Sequence, residues 1–148
     1  MIVVGGLPRS GTSMMMAMLD AAGIPCVRDE THGPLENYET IKAIMGDWEL
    51  EDLYSWSYKA VKILDALPKL PPIPVSVIVM RRTNSDYHQT PTESLDRIRL
   101  WCADKKHIEV WYEDVLADPE RECKRVAALL RVPLDISAMA KVVVGRRP

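Results

Sequence analysis

The chain has 148 residues, 47% hydrophobic and 27% charged, with a formal net charge of −2. That length and balance fit one globular domain spanning 1–148, with a core of its own and little room for a second. The slightly acidic charge argues against nucleic acid or an anionic membrane surface as bulk partner, and leaves only the local pairs Arg81–Arg82 and Arg146–Arg147 to attract a small anion.

Three cysteines, Cys26, Cys102 and Cys123, stand far apart without metal-ligand spacing, so neither a disulfide framework nor a metal site is expected. The first strand-like run begins at Ile2, and no apolar run approaches the length that spans a bilayer. A cytoplasmic protein without a targeting segment is the expectation.

In chain order, IVVG (2–5) reads as a strand and TSMMMAMLDAAG (12–23) as a helix ended by Gly23 and Pro25. Its methionines Met14, Met15, Met16 and Met18 suit a core, because thioethers adapt to a sheet surface. Residues 29–40 are polar and turn-rich, and Ile41, Ile44, Met45 and Trp48 follow at helical spacing. KAVKI (59–63) is a strand, and a proline-rich stretch leads into VSVIVM (75–80), an apolar run of buried-strand character. A helix is predicted over about 91–103 and a last strand at HIEVWY (107–112). Asp118–Pro119 then reads as N-cap and first helical residue, with Cys123, Val126, Ala127 and Leu130 on one face. Strands alternating with helices predict an α/β fold with a parallel sheet.

VVGGLPRSGTSMM (3–15) joins the first strand to the first helix with phosphate-loop spacing: Gly6, four residues, Gly11, then Thr12 and Ser13. A nucleotide triphosphatase would carry lysine where Thr12 stands. Backbone N–H groups and the positive end of the helix dipole still favour an anion, but the ammonium that reaches β- and γ-phosphates is missing. Such a loop suits a smaller anionic group, with Arg9 as a substitute cation.

GLPRSGTSMMMAMLDAAGIP, KAVKI, VIVMRR and YEDVLADPERECKRVAALLRVPLD, in that order, resemble the sulfotransferases, in particular compact bacterial and phage members, over nearly the whole chain. The resemblance implies a P-loop-type α/β sandwich, three layers deep, with a central parallel sheet between helices. It implies transfer of a sulfuryl group from 3′-phosphoadenosine-5′-phosphosulfate to a hydroxyl or amine, without a metal. The absent lysine then has a reason, since this donor has one 5′-phosphosulfate in place of a triphosphate.

By the same resemblance, the backbone from Arg9 through Ser10, Gly11, Thr12 and Ser13, with the Thr12 and Ser13 hydroxyls, would hold the 5′-phosphosulfate. Arg9 would also neutralise charge on the transferring group. Arg82 matches the arginine that ends a buried strand and takes the 3′-phosphate, and Thr90, eight residues on, stands where the family has a serine. Thr90-Pro91-Thr92-Glu93 equally reads as a capping box, so Thr90 has two readings. Lys62 matches a catalytic lysine, but the adjoining family histidine is absent, with Ile63 and Leu64 in its place. Glu30, in Asp29-Glu30-Thr31, resembles the base of the tyrosylprotein sulfotransferases, with Asp29, His32 and Glu36 as substitutes. Glu113 and Asp114 read as structural, Trp101 and Trp111 as core, and Trp48 and Trp56 as undecided. Two alternatives stand beside transfer: a nucleotide-binding module without chemistry, and a P-loop nucleotide kinase or phosphohydrolase.

Overall fold

A computed structural model describes residues 1–27, 55–64, 70, 72–83 and 91–145. The predicted helix around Ile41–Trp48 lies outside them, as do Asp29, Glu30, His32, Glu36 and Thr90.

The strands β1 (Ile2–Gly6), β2 (Ala60–Ile63), β3 (Ser76–Arg81) and β4 (Lys106–Trp111) form a parallel sheet in the order β2-β1-β3-β4. Val4 lies opposite Lys62 on one side and Ile78 on the other, and Arg81 opposite Trp111. The helices are α1 (Thr12–Ala21), α2 (Pro91–Cys102), α3 (Tyr112–Ala117), α4 (Pro119–Leu130) and α5 (Ile136–Val144). This is the α/β sandwich expected.

Because side chains alternate across a strand, each strand feeds two cores. Val4, Ala60, Ile78, Met80 and Val110 face α1, α3, α4 and α5, whereas Val3, Val61, Ile63, Val77 and Val79 face Trp56 and the Ile98 and Cys102 side chains of α2. The α1 methionines lie in the first core as expected; Met15, Met16 and Met18 are at most 1% exposed.

Local chemistry explains the helix ends. After α1, Gly23 takes φ +90°, Ile24 N donates to Leu19 O and Gly23 N to Asp20 O, both at 3.0 Å, a Schellman motif. Asp118 Oδ1 accepts from Arg121 N at 3.1 Å with Pro119 at the first helical turn, as the sequence predicts. α5 is not among the elements predicted from the sequence, although Asp135 caps it by accepting from Ala138 N at 2.9 Å.

Two expectations need correction. The last strand stops at Trp111, and Tyr112 begins a helix. Trp101 and Trp111 are half-buried rather than core, each with a cation over its ring: Lys105 Nζ lies 4.3 Å from Trp101 and the Arg81 guanidinium 4.4 Å from Trp111. Trp111 sits on a strand that is at the sheet edge among the described residues, and Trp56 takes the core place at 3% exposure.

On the α2 side, Glu109 accepts from Arg99 Nε at 2.6 Å and from Arg81 Nη1 at 2.8 Å. On the other side Glu122, 1% exposed, is held by Arg121 and Arg125, and Arg125 Nη2 also donates to Glu109 O at 3.1 Å. These contacts tie the edge strand to both helical layers.

Met15→Ala should lower stability by about 2–5 kcal/mol in urea unfolding, because it empties a fully buried site, while Leu100→Ser, on a residue 79% exposed, should stay within about 0.5 kcal/mol. The hydrogen bond from Arg99, reinforced by Arg81, holds the Glu109 carboxyl below its ordinary 4.5 against the opposing effect of burial. A depressed folded value contributes stability that is complete above 4.5 and lost as pH falls through the folded value. Glu109→Gln should therefore flatten the acid limb of a melting-temperature profile below pH 4.5, and an unchanged limb would contradict the role.

Candidate anion-binding site

The strand order sends the chain from β1 to β2 on one side and then back across β1 to β3 on the other. That reversal is the topological switch point, where a crevice opens beyond the carboxyl ends of parallel strands. The loop 7–11 leaves β1 at this point.

Its geometry follows from its residues. Ser10 N donates to Leu7 O at 3.2 Å, closing a turn with Pro8 second and Arg9 third. Arg9 has φ +67°, so the turn has a type II pattern with arginine where glycine is usual. A left-handed arginine is strained, as residues at functional sites often are. Gly6 and Gly11 take φ +145° and +102°. A Cβ on Gly6 would lie 2.6 Å from Met80 O and 2.7 Å from Ser10 Oγ, so the loop rests directly on β3.

Gly11 is the N-cap of α1 and supplies no side-chain hydrogen bond, so the first N–H groups of a ten-residue helix face the crevice uncapped. A cavity of about 580 Å³ opens there, lined by loop residues with Lys62, Leu64, Arg82 and Tyr112. That size is ordinary for a small-molecule site.

The predicted residues fall as follows. Arg9, Gly11, Thr12, Ser13, Lys62 and Arg82 all line the cavity. Lys62 is 8% exposed, on the α1 face of β2, and its Nζ donates to Ser13 Oγ at 2.9 Å. Arg9 and Arg82 are exposed at the mouth, and Arg82 Nη1 reaches Arg9 O at 3.4 Å. Ser10 differs from the others: its Oγ is buried beside Gly6 without a hydrogen-bond partner among the described residues, and the residue does not line the cavity. The turn draws its side chain beneath the loop.

Tyr112 belongs to this site and was missed. The Arg82 guanidinium lies 4.3 Å from its ring centre, and the ring also packs against Gly11. The available signal was its place at the carboxyl end of the last predicted strand, the ligand edge of a parallel sheet. Glu113, read as structural, accepts from Thr83 N at 2.9 Å through Oε1. Arg81 turns away to Glu109 on the other face. Among the described residues there is no group of three or more His, Cys, Asp or Glu able to hold a metal, and no helix long and apolar enough to cross a membrane.

No family model and no curated protein matches this chain. Among solved structures it is similar to an unliganded sugar kinase from Janibacter sp. HTCC2649, with 14% identity, 93% of this chain and 96% of that chain covered, and a TM-score of 0.46.

Gly6→Ala should strain the loop twice, through its positive φ and through the 2.6 Å approach to Met80 O. The expected loss is about 1–3 kcal/mol in chemical denaturation. Gly145→Ala, whose Cβ would meet nothing nearer than 3.6 Å among the described residues, serves as the neutral control.

Proposed function

We propose that this chain is a sulfotransferase that binds 3′-phosphoadenosine-5′-phosphosulfate and passes its sulfuryl group to a hydroxyl or amine acceptor. The observation that carries the reading is the hydrogen bond from Lys62 Nζ to Ser13 Oγ at 2.9 Å. It brings an ammonium from the neighbouring strand to the head of α1, while Thr12 occupies the usual lysine position in the loop. A cation approaching from the side, beside an uncapped helix start, suits a short phosphosulfate better than a triphosphate chain.

In this reading the N–H groups of Arg9, Gly11, Thr12 and Ser13 hold the 5′ group with the Thr12 and Ser13 hydroxyls. Ser10, whose N–H already donates to Leu7 O and which does not line the cavity, stands outside the ligand set. Arg82, at the mouth, takes the 3′-phosphate, and the family resemblance assigns Thr90, outside the described residues, to the same group. Transfer forms a bond from the acceptor oxygen or nitrogen to sulfur and breaks the bridging S–O bond, whose electrons stay on the departing 5′-phosphate. Arg9 and Lys62 stabilise the negative charge that gathers there, and Glu30 receives the acceptor proton. These cations supply the positive charge without a metal.

The test is calorimetric titration of the full chain with 3′-phosphoadenosine-5′-phosphate, beside ATP with magnesium. Arg9→Ala and Arg82→Ala should each weaken the bisphosphate by about tenfold or more, as expected for a charge-assisted hydrogen bond. ATP should bind much more weakly than the bisphosphate. Lack of bisphosphate binding to the wild type would overturn the reading. Preference for magnesium-ATP would favour a kinase or phosphohydrolase, and bisphosphate binding without transfer to any acceptor a nucleotide-binding module.

A further inference from the structure

At the carboxyl edge of the sheet, consecutive residues at the start of α3 hold consecutive residues that follow β3. The Tyr112 ring lies under the Arg82 guanidinium at 4.3 Å, and Glu113 Oε1 accepts from Thr83 N at 2.9 Å. One contact fixes a side chain and the other the backbone that carries it. Arg82 has left the sheet, since β3 ends at Arg81, and it is exposed. An arginine on a strand exit has many rotamers, so ordering it costs entropy that a preset contact removes before a ligand arrives.

The same ring packs on Gly11, where a Cβ would meet Tyr112 Cδ2 at 2.9 Å, and Arg82 Nη1 reaches Arg9 O at 3.4 Å. Tyr112 therefore touches both the helix start that would receive one anionic group and the arginine that would receive another. We infer that Tyr112 and Glu113 are positioning residues that present Arg82 to the anion at the mouth of the cavity, Tyr112 by stacking and Glu113 through Thr83. The inference deepens the proposed function and rests on it for the identity of that anion, the 3′-phosphate.

Two double-mutant cycles test it on the full chain. The first pairs Arg82→Ala with Tyr112→Leu and reads thermal unfolding without ligand. The combined shift should differ from the sum of the single shifts by about 2 °C or more. Additive shifts would show that the stacking has no energetic content and overturn the inference, whatever the ligand.

The second cycle reads titration with 3′-phosphoadenosine-5′-phosphate on the same variants. Tyr112→Leu should weaken binding about tenfold beside Arg82 and little once Arg82 is alanine. Adenosine 5′-phosphate, which lacks the 3′ group, should lose little. An equal loss on both backgrounds would mean that Tyr112 touches the ligand itself, and would overturn the positioning role. Glu113→Gln keeps an acceptor for Thr83 N and should retain most of the affinity that Glu113→Ala loses; equal losses would overturn the part assigned to Glu113. Coupling in the first cycle with no bisphosphate binding to the wild type would contradict the proposed function while leaving the Arg82–Tyr112 contact established.

Discussion

The close approach of Gly6 to the backbone of β3 is the constraint on which the site depends. Only a residue without a Cβ can lie so near Met80 O while taking φ +145°, and that placement turns the chain up and over the end of the sheet. The loop then has just enough residues to make one turn, with Arg9 left-handed, and to deliver Gly11 as the N-cap of α1. The helix axis points its dipole at the crevice because its first turn starts there. Loop, helix start and β3 exit consequently pack against one another, with Ser10 Oγ beneath the loop.

Strand parity decides which cations join that unit. On β2, Ala60 faces the α1 core, so Lys62 faces the same way, while Val61 and Ile63 enter the opposite core. A buried ammonium is costly unless hydrogen-bonded, and Ser13 at the head of α1 supplies an acceptor. Parallel register places Lys62 beside Val4, close behind the loop that leaves β1.

The sequence carried much of this openly. Period-2 alternation and apolar runs marked the four strands to within one residue at each end, and glycine spacing marked the loop. Other features depend on competition between neighbours. Tyr112 continues a strand pattern by β-propensity, yet the chain must leave the sheet there for α3 to pack, so tertiary contact overrides local preference. The hydrophobic periodicity of Ile136, Met139 and Val143 was present behind Asp135, but a short segment late in the chain offers few turns to read. Ser10 was assigned by its place in the motif, whereas the direction of its side chain comes from a turn that only φ angles reveal.

The pair Arg81–Arg82 shows how far adjacent identical residues can diverge. Arg81 is the last residue of β3 and keeps the sheet's alternation, which turns it to the α2 face, between Glu109 and Trp111. Arg82 comes one residue later, free of the ladder, and turns to the loop and the Tyr112 ring. One arginine fastens the sheet edge and its neighbour faces the crevice. The difference needs no difference in chemistry, only one step of pleat and the end of a strand. Arg81 shares the Glu109 carboxylate with Arg99 on the α2 face, whereas Arg82 lines the crevice on the same side as Arg9 and Lys62.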